Sequence, residues 1–211
     1  MEGADWVIPR IWEGSECYIL GGGPGLKEVN LDALKGKHVI AVNNAYQLGD
    51  WPVMLYGDCA WYKTMRGKDG LAHSAALARW GGLKVHPCKD GCTPPGIKIA
   101  RRRSKPFGIC RQANRISWNL SSGACAIDLA AHFGVSRIIL LGFDMSSNEG
   151  AHNWHQEHGV RPPKFNPYPN HLKAFPAIAH DLKTCGIECL NATPGSAIDC
   201  LPIVEKCEVG L

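Results

Sequence analysis

Six short apolar runs punctuate the chain, spaced so that a helix can fit between most neighbours. They are ECYILG at 16–21, KHVIAVN at 37–43, PVMLYGD at 52–58, LKVHP at 83–87, RIILLGFD at 137–144 and GIECLN at 186–191. Several are continuous rather than alternating, which is the pattern of a strand covered on both faces. The intervening LKEVNLDALKG, WYKTMRGKDGLAHSAALARWGG, GACAIDLAAHFG and HLKAFPAIAHDLKTCG read as helical, and each closes on a glycine suited to a helix C-terminus. In the third, Ala126, Ile127, Ala130, Ala131 and Phe133 make an apolar stripe that leaves Asp128 and His132 elsewhere on the turn. Strands alternating with helices predict a Rossmann-like, doubly wound α/β domain with a mostly parallel sheet. Two segments fall outside the alternation: a basic insertion at 88–118, and a long loop at 145–170 of the kind that usually serves an active site.

Length supports one nucleotide-binding domain over 1–211, since two full domains would be a squeeze in 211 residues. Hydrophobic residues at 45% and charged residues at 20% are ordinary for a folded globular chain and leave little room for long disorder. The start, MEGADWVIPRIWEG, lacks a cationic region followed by an apolar one, and no stretch approaches the length of a membrane span. A soluble, cytoplasmic protein with no membrane segment is expected. The ten cysteines then read as reduced thiols. Cys88/Cys92 and Cys185/Cys189 have the wrong spacing for a zinc ribbon.

Charge is unevenly spread. Residues 91–127 contain no Asp or Glu but hold Lys98, Arg101, Arg102, Arg103, Lys105, Arg111 and Arg115. That stretch is either a solvated basic loop or a lip for a polyanion, with Arg101, Arg102, Arg103 and Lys105 the candidate contacts to phosphate or nucleic acid.

In a doubly wound sheet ligands bind beyond the carboxyl ends of the strands. Gly21, Gly22, Gly23, Pro24 and Gly25 follow the first run, Asn43 and Asn44 the second, Asp58 the third, and Gly142, Phe143 and Asp144 the fifth. The glycine loop has no Gly-Lys-Ser/Thr after it, and Pro24 and Gly25 break the dinucleotide pattern, so neither a P-loop ATPase nor a Rossmann dehydrogenase is indicated. Ser121, Ser122 and Gly123 precede a helix and are either an ordinary N-cap or a second anion cradle. His152, His155 and His158 lie in HNWHQEH, which lacks the zinc-hydrolase arrangement; a histidine there is a candidate general base. Tyr168 and His171 end that loop and can close over a phosphate or an acceptor.

Several of these pieces together resemble a known group: YILGGGPGLKEVNLDALKGKHVIAVNNAY, LYGD, SSGACAIDLAAHFGVSRIILLGFDM, the histidine segment and GIECLNATPGSAIDC. They look like the sialyltransferase-like and 6-hydroxymethylpterin-pyrophosphokinase-like group, which includes many phage-encoded proteins. The similarity in pattern spans most of 16–200. For the sialyltransferase branch it implies that Gly21 to Gly25 and Asn43 hold a CMP-sugar without a metal, with His155 as base and Tyr168 on the phosphate. For the pterin branch it implies ATP with Mg²⁺ at Asp58 and Asp144. Gly25 stands where the group commonly has Ser, which removes one hydroxyl from the phosphate contact.

The expected function is a nucleotide-dependent transferase, foremost a glycosyltransferase moving a sugar from a nucleotide-sugar to an acceptor hydroxyl on a small molecule, a glycan or DNA. Asp58, Asp144 and His155 are its catalytic candidates, and Ser121, Ser122 and Gly123 share in nucleotide binding. The alternatives are Mg²⁺-dependent pyrophosphoryl or nucleotidyl transfer from ATP, and a non-catalytic module that binds nucleotide or DNA.

Overall fold

A computed structural model describes residues 6–64, 70–88, 94–146, 153–155 and 166–211. The expected sheet is present, and it is larger than expected. Strands β1 (Glu16–Leu20), β2 (Val39–Val42), β3 (Val53–Leu55), β4 (Leu83–Cys88), β5 (Lys98–Arg103), β6 (Arg115–Ser117), β7 (Arg137–Leu141) and β8 (Glu188–Asn191) form one sheet in the order β6-β5-β4-β3-β2-β1-β7-β8. Every neighbouring pair is parallel. Both β5 and β6 lie in the basic stretch that the apolar pattern set outside the alternation. Their side chains are largely charged and only Ala100, Ile116 and Ser117 are buried, so no apolar run announced them.

The alternation of side chains along each strand divides the core in two. Cys17, Ile19, Ile40, Val42, Ile138 and Leu140 face α3 (Ser122–His132) and α5 (Phe175–Thr184). Tyr18, Leu20, Val39, Ala41, Ile139 and Leu141 face the other way, toward Leu26, Leu34, Trp61 of α1 (Cys59–Thr64) and Leu77 of α2 (His73–Arg79). The segment LKEVNLDALKG does not make an α-helix; it contributes to two 3₁₀ turns, Pro24–Glu28 and Leu31–Leu34, that bury Leu26 and Leu34. None of the helices among the described residues is long and apolar enough to cross a membrane. All nine described cysteines are outside disulfides.

Chain order reverses between β1 and β7: the chain leaves β1 toward β2 on one side and returns to it as β7 on the other, through α3. The crevice at such a reversal, at the carboxyl ends of the strands, is where this architecture leaves room for a ligand.

Helix α3 is covered all round rather than on a stripe. Asp128, expected off the apolar face, is fully buried and accepts hydrogen bonds from the backbone N–H groups of Ser117 (2.6 Å) and Cys110 (2.8 Å). This carboxyl ties β6 and the loop before it to the helix. Burial pushes its pKa up to about 7 against the pull of those two bonds. His132, 4.0 Å away, is pushed down to about 4 by burial and is neutral while Asp128 titrates, so the two are not an ion pair there.

The folded chain therefore holds a proton on Asp128 that the unfolded chain releases at an ordinary carboxylate pKa. Stability from this group is full at low pH and lost as pH rises from about 4 to about 7, a contribution on the order of 4 kcal/mol. Asp128→Asn should flatten that part of the stability profile. Chemical denaturation at pH 4.5 and pH 8 checks it, and an unchanged difference between the two pH values would refute the assignment.

Candidate functional site

A cavity of about 310 Å³ opens at the predicted crevice. Gly21, Gly22 and Gly23 after β1, Val42 and Asn43 at β2, Asp58 after β3, Trp118 to Gly123 apart from the buried Asn119 after β6, and Gly142, Phe143 and Met145 after β7 line it. Asn153, Tyr168 and His171 complete the wall. The volume falls at the small end of the range for ligand pockets.

The glycine loop is built by close approach. A Cβ on Gly21 would stand 2.5 Å from the Gly142 carbonyl oxygen, and one on Gly23 would stand 2.0 Å from Asp144 Oδ2 and 2.8 Å from the same carbonyl. The amides are engaged as well: Gly21 N–H donates to Leu141 O, Gly23 N–H to Gly142 O and Gly25 N–H to Asp144 Oδ1. These three amides, on the loop that the resemblance assigns to a CMP-sugar, bind the loop to the end of β7. The loop is a floor, flat because side chains are excluded from it.

Bare donors occur across the cavity. Ser121 caps α3 through its hydroxyl, which accepts from Ala124 N–H at 3.1 Å, so the ordinary capping role holds for that side chain. Among the described residues, the N–H groups of Ser122 and Gly123 have no partner. Gly123 is itself required, since a Cβ there would meet Phe143 at 2.9 Å. Two amides at the positive end of a helix have the geometry and the polarity that suit an anion. Asn43 adds an acceptor, because among the described residues its buried Oδ1 has no hydrogen-bond partner.

Asn43, Leu120 and Met145 line the cavity with left-handed φ values of 50°, 66° and 50°, and Asn119 beside them has 47°. These are all the non-glycine residues with positive φ among those described. Such conformations cost on the order of 1 kcal/mol or more each and cluster where function needs them.

The remaining predicted residues fall in different places. Pro24 opens a 3₁₀ turn behind the floor. Asp144 is buried under the floor, and burial raises its pKa; it is not part of the cavity wall. Asp58 is exposed in the wall, and its Oδ1 accepts from Ala60 N–H at 2.7 Å, making it the cap of α1. Among the described residues no group of three or more His, Cys, Asp or Glu is placed to hold a metal, and the two aspartates do not share the wall.

His155 sits outside the wall, with its Nδ1 3.5 Å from Asn44 Nδ2 and its ring edge-on to Trp154. Trp154 N–H in turn donates to Gly22 O, so this short segment is attached to the floor. His152 and His158 lie outside the described residues. Of the cations, Arg102 stacks on Trp118 with its guanidinium carbon 3.5 Å from the ring centre, Arg103 is bonded to Ser117 Oγ, Lys105 lies over Phe107, and Arg101 is exposed.

Trp118, Leu120, Met145 and Asn153 were not found from the sequence. The first two follow a strand hidden among arginines, and the left-handed backbone that turns Leu120 and Met145 into the wall has no side-chain signature. Tyr168 and His171, expected at the loop end to close over a phosphate or an acceptor, both stand in the wall.

No family profile matches the chain, and no curated protein matches it in sequence. Solved structures do match in fold. One is the sialyltransferase CstII from Campylobacter jejuni in complex with a substrate analogue, cytidine-5'-monophosphate, at a TM-score of 0.55 and 16% identity, over 90% of this chain and 85% of that one. The same enzyme in complex with CMP-3FNeuAc matches at a TM-score of 0.51 and 15% identity over the same shares. The chain thus has a sialyltransferase-like α/β fold.

Gly23→Ala should destabilise the protein by about 1–3 kcal/mol, because the new methyl must displace Asp144 or the β7 backbone. Gly81→Ala, with open space and no left-handed φ, should be close to silent. Parallel urea melts of the two variants check the contrast, and equal effects would contradict the packing argument.

Proposed function

We propose that the protein is a nucleotide-sugar-dependent glycosyltransferase whose donor lies in the 310 Å³ cavity with its phosphate on α3. The observation that carries this reading is the pairing of two α3 amides with Asn43 Oδ1 across a side-chain-free floor, all three without a partner among the described residues. An anion and a hydrogen-bond donor on the same small ligand, such as a nucleotide's phosphate and its ribose hydroxyl or base amine, would satisfy both. The likeness of fold to an enzyme solved with CMP and CMP-3FNeuAc supports the choice of donor class.

His171 is the base in this reading, in place of His155. It lines the cavity, its ring lies edge-on to Tyr168 at 6.3 Å, and burial lowers its pKa, which keeps the imidazole neutral at pH 7. It takes the proton of the acceptor hydroxyl as that oxygen attacks the sugar carbon from the face opposite the nucleotide. The carbon–oxygen bond to the nucleotide breaks with inversion, and the departing phosphate keeps the electron pair. The Ser122 and Gly123 amides, with the Tyr168 hydroxyl as a further donor, stabilise that charge as it develops.

Incubation with a panel of CMP-, UDP- and GDP-sugars and chromatography for free nucleotide tests the reading. Turnover with one donor is expected, and none with any donor and acceptor counts against it. His171→Ala should lower kcat by about 10²–10⁴-fold while leaving nucleotide binding, followed by thermal shift, intact. Because the His171 pKa is lowered, activity should persist down to pH 6.5 and fall only below it, as the imidazole is protonated. An acidic limb above pH 7 would exclude this histidine.

A further inference from the structure

A second cavity, of about 370 Å³, shares Asp58 and Trp118 with the first and is otherwise lined by Gly57, Cys59, His86, Pro87, Cys88 and Arg102. Its back wall holds a thiol–imidazole pair that the transferase reading does not use. Cys59 Sγ stands 3.3 Å from His86 Nε2, while His86 Nδ1 is 2.9 Å from the carbonyl oxygen of Tyr56. A carbonyl can only accept, so Nδ1 carries the proton and Nε2 presents its lone pair to the thiol. The imidazole is buried and held in place, stacked on the Tyr56 ring at 4.4 Å, with Tyr62 stacked on Tyr56 in turn. Nucleophile, base and a third group orienting the base are thus in sequence, and Cys59 is partly exposed.

We propose that Cys59 is a modification site for small carbon electrophiles, with His86 as the base that activates its thiol. As the sulfur attacks, an S–C bond forms and the bond from that carbon to its leaving group breaks. The leaving group departs with the electron pair, and the thiol proton ends on His86 Nε2. Among the described residues, the charged and titratable groups around the pair are Asp58, which favours imidazolium, Arg102, which opposes it, the Cys88 thiol, and the phenols of Tyr56 and Tyr62. Burial, the largest influence, lowers the His86 pKa, so the imidazole rests neutral and is free to take the thiol proton during attack.

Iodoacetamide is the probe, applied to the whole protein in EDTA, with alkylation of each cysteine followed by peptide mass spectrometry. At pH 7 Cys59 should react about tenfold faster than Cys207, which is the more exposed thiol and has no such base among the described residues. Between pH 6.5 and 8 the Cys59 rate should be nearly flat, because the base is already neutral, whereas an ordinary thiol gains about tenfold per pH unit in that range. His86→Gln should bring Cys59 down to the Cys207 rate. A Cys59 rate no greater than that of Cys207, or one rising as steeply with pH, overturns the proposal on wild-type protein alone, whether or not the variant folds. Thiol reactivity is read without any donor or acceptor, so its outcome is independent of the transferase assay.

Discussion

The loop after β1 and the loop after β7 meet backbone to backbone, with Asp144 and the Gly142 carbonyl leaving no space for a methyl group on Gly23. Much of the cavity depends on this contact. Asp144 receives Gly25 N–H through its side chain and Ala197 N–H through its own carbonyl. Phe143 is fixed on both sides, its N–H donating to Thr193 Oγ1 and its carbonyl accepting from Ser196 Oγ. The floor, the end of β7 and the turn at 193–197 therefore form a single rigid unit. Phe143 also stands against Gly123, which carries the unit across to the amides of α3.

This rigidity allows the rim to hold strained conformations. Asn43, Leu120 and Met145 would relax toward ordinary backbone angles if their neighbours yielded. The parallel sheet, buried on both faces by two separate cores, supplies the stability that holds them. Binding groups placed in this way need little rearrangement when a ligand arrives, which is the condition for amides to stabilise charge as it forms.

The six apolar strands could be read from the chain because burial on both faces demands uninterrupted β-rich residues, and the glycine loop could be read because it followed one of them. Strands β5 and β6 could not, since arginines at an outer part of a sheet look like a solvated loop. Trp118 and Leu120 were lost with them. Asp144 was recognised as a residue at a strand end, but its service beneath the floor depends on a neighbour 121 positions away in Gly23, which no local pattern encodes. The same holds for Asp128, whose partners Cys110 and Ser117 come from a different element. His155 was the candidate base and His171 only a residue closing the loop; the tertiary arrangement, which puts the first beside Asn44 and the second in the wall, is not written in the local sequence.

The register of β1 has a consequence for how the molecule comes into being. Its middle residue Tyr18 pairs with Val39 on one side and with Ile139 on the other. The first partnership can form almost at once during synthesis, whereas the second waits for more than half of the chain. Until β7 arrives, the central strand has an open edge and the glycine loop has nothing to lie against. Sheets with such distant pairings assemble slowly. The ligand cavity is thus among the last parts of the protein to exist, and a chain cut short before β7 would carry every glycine of the floor without having a floor.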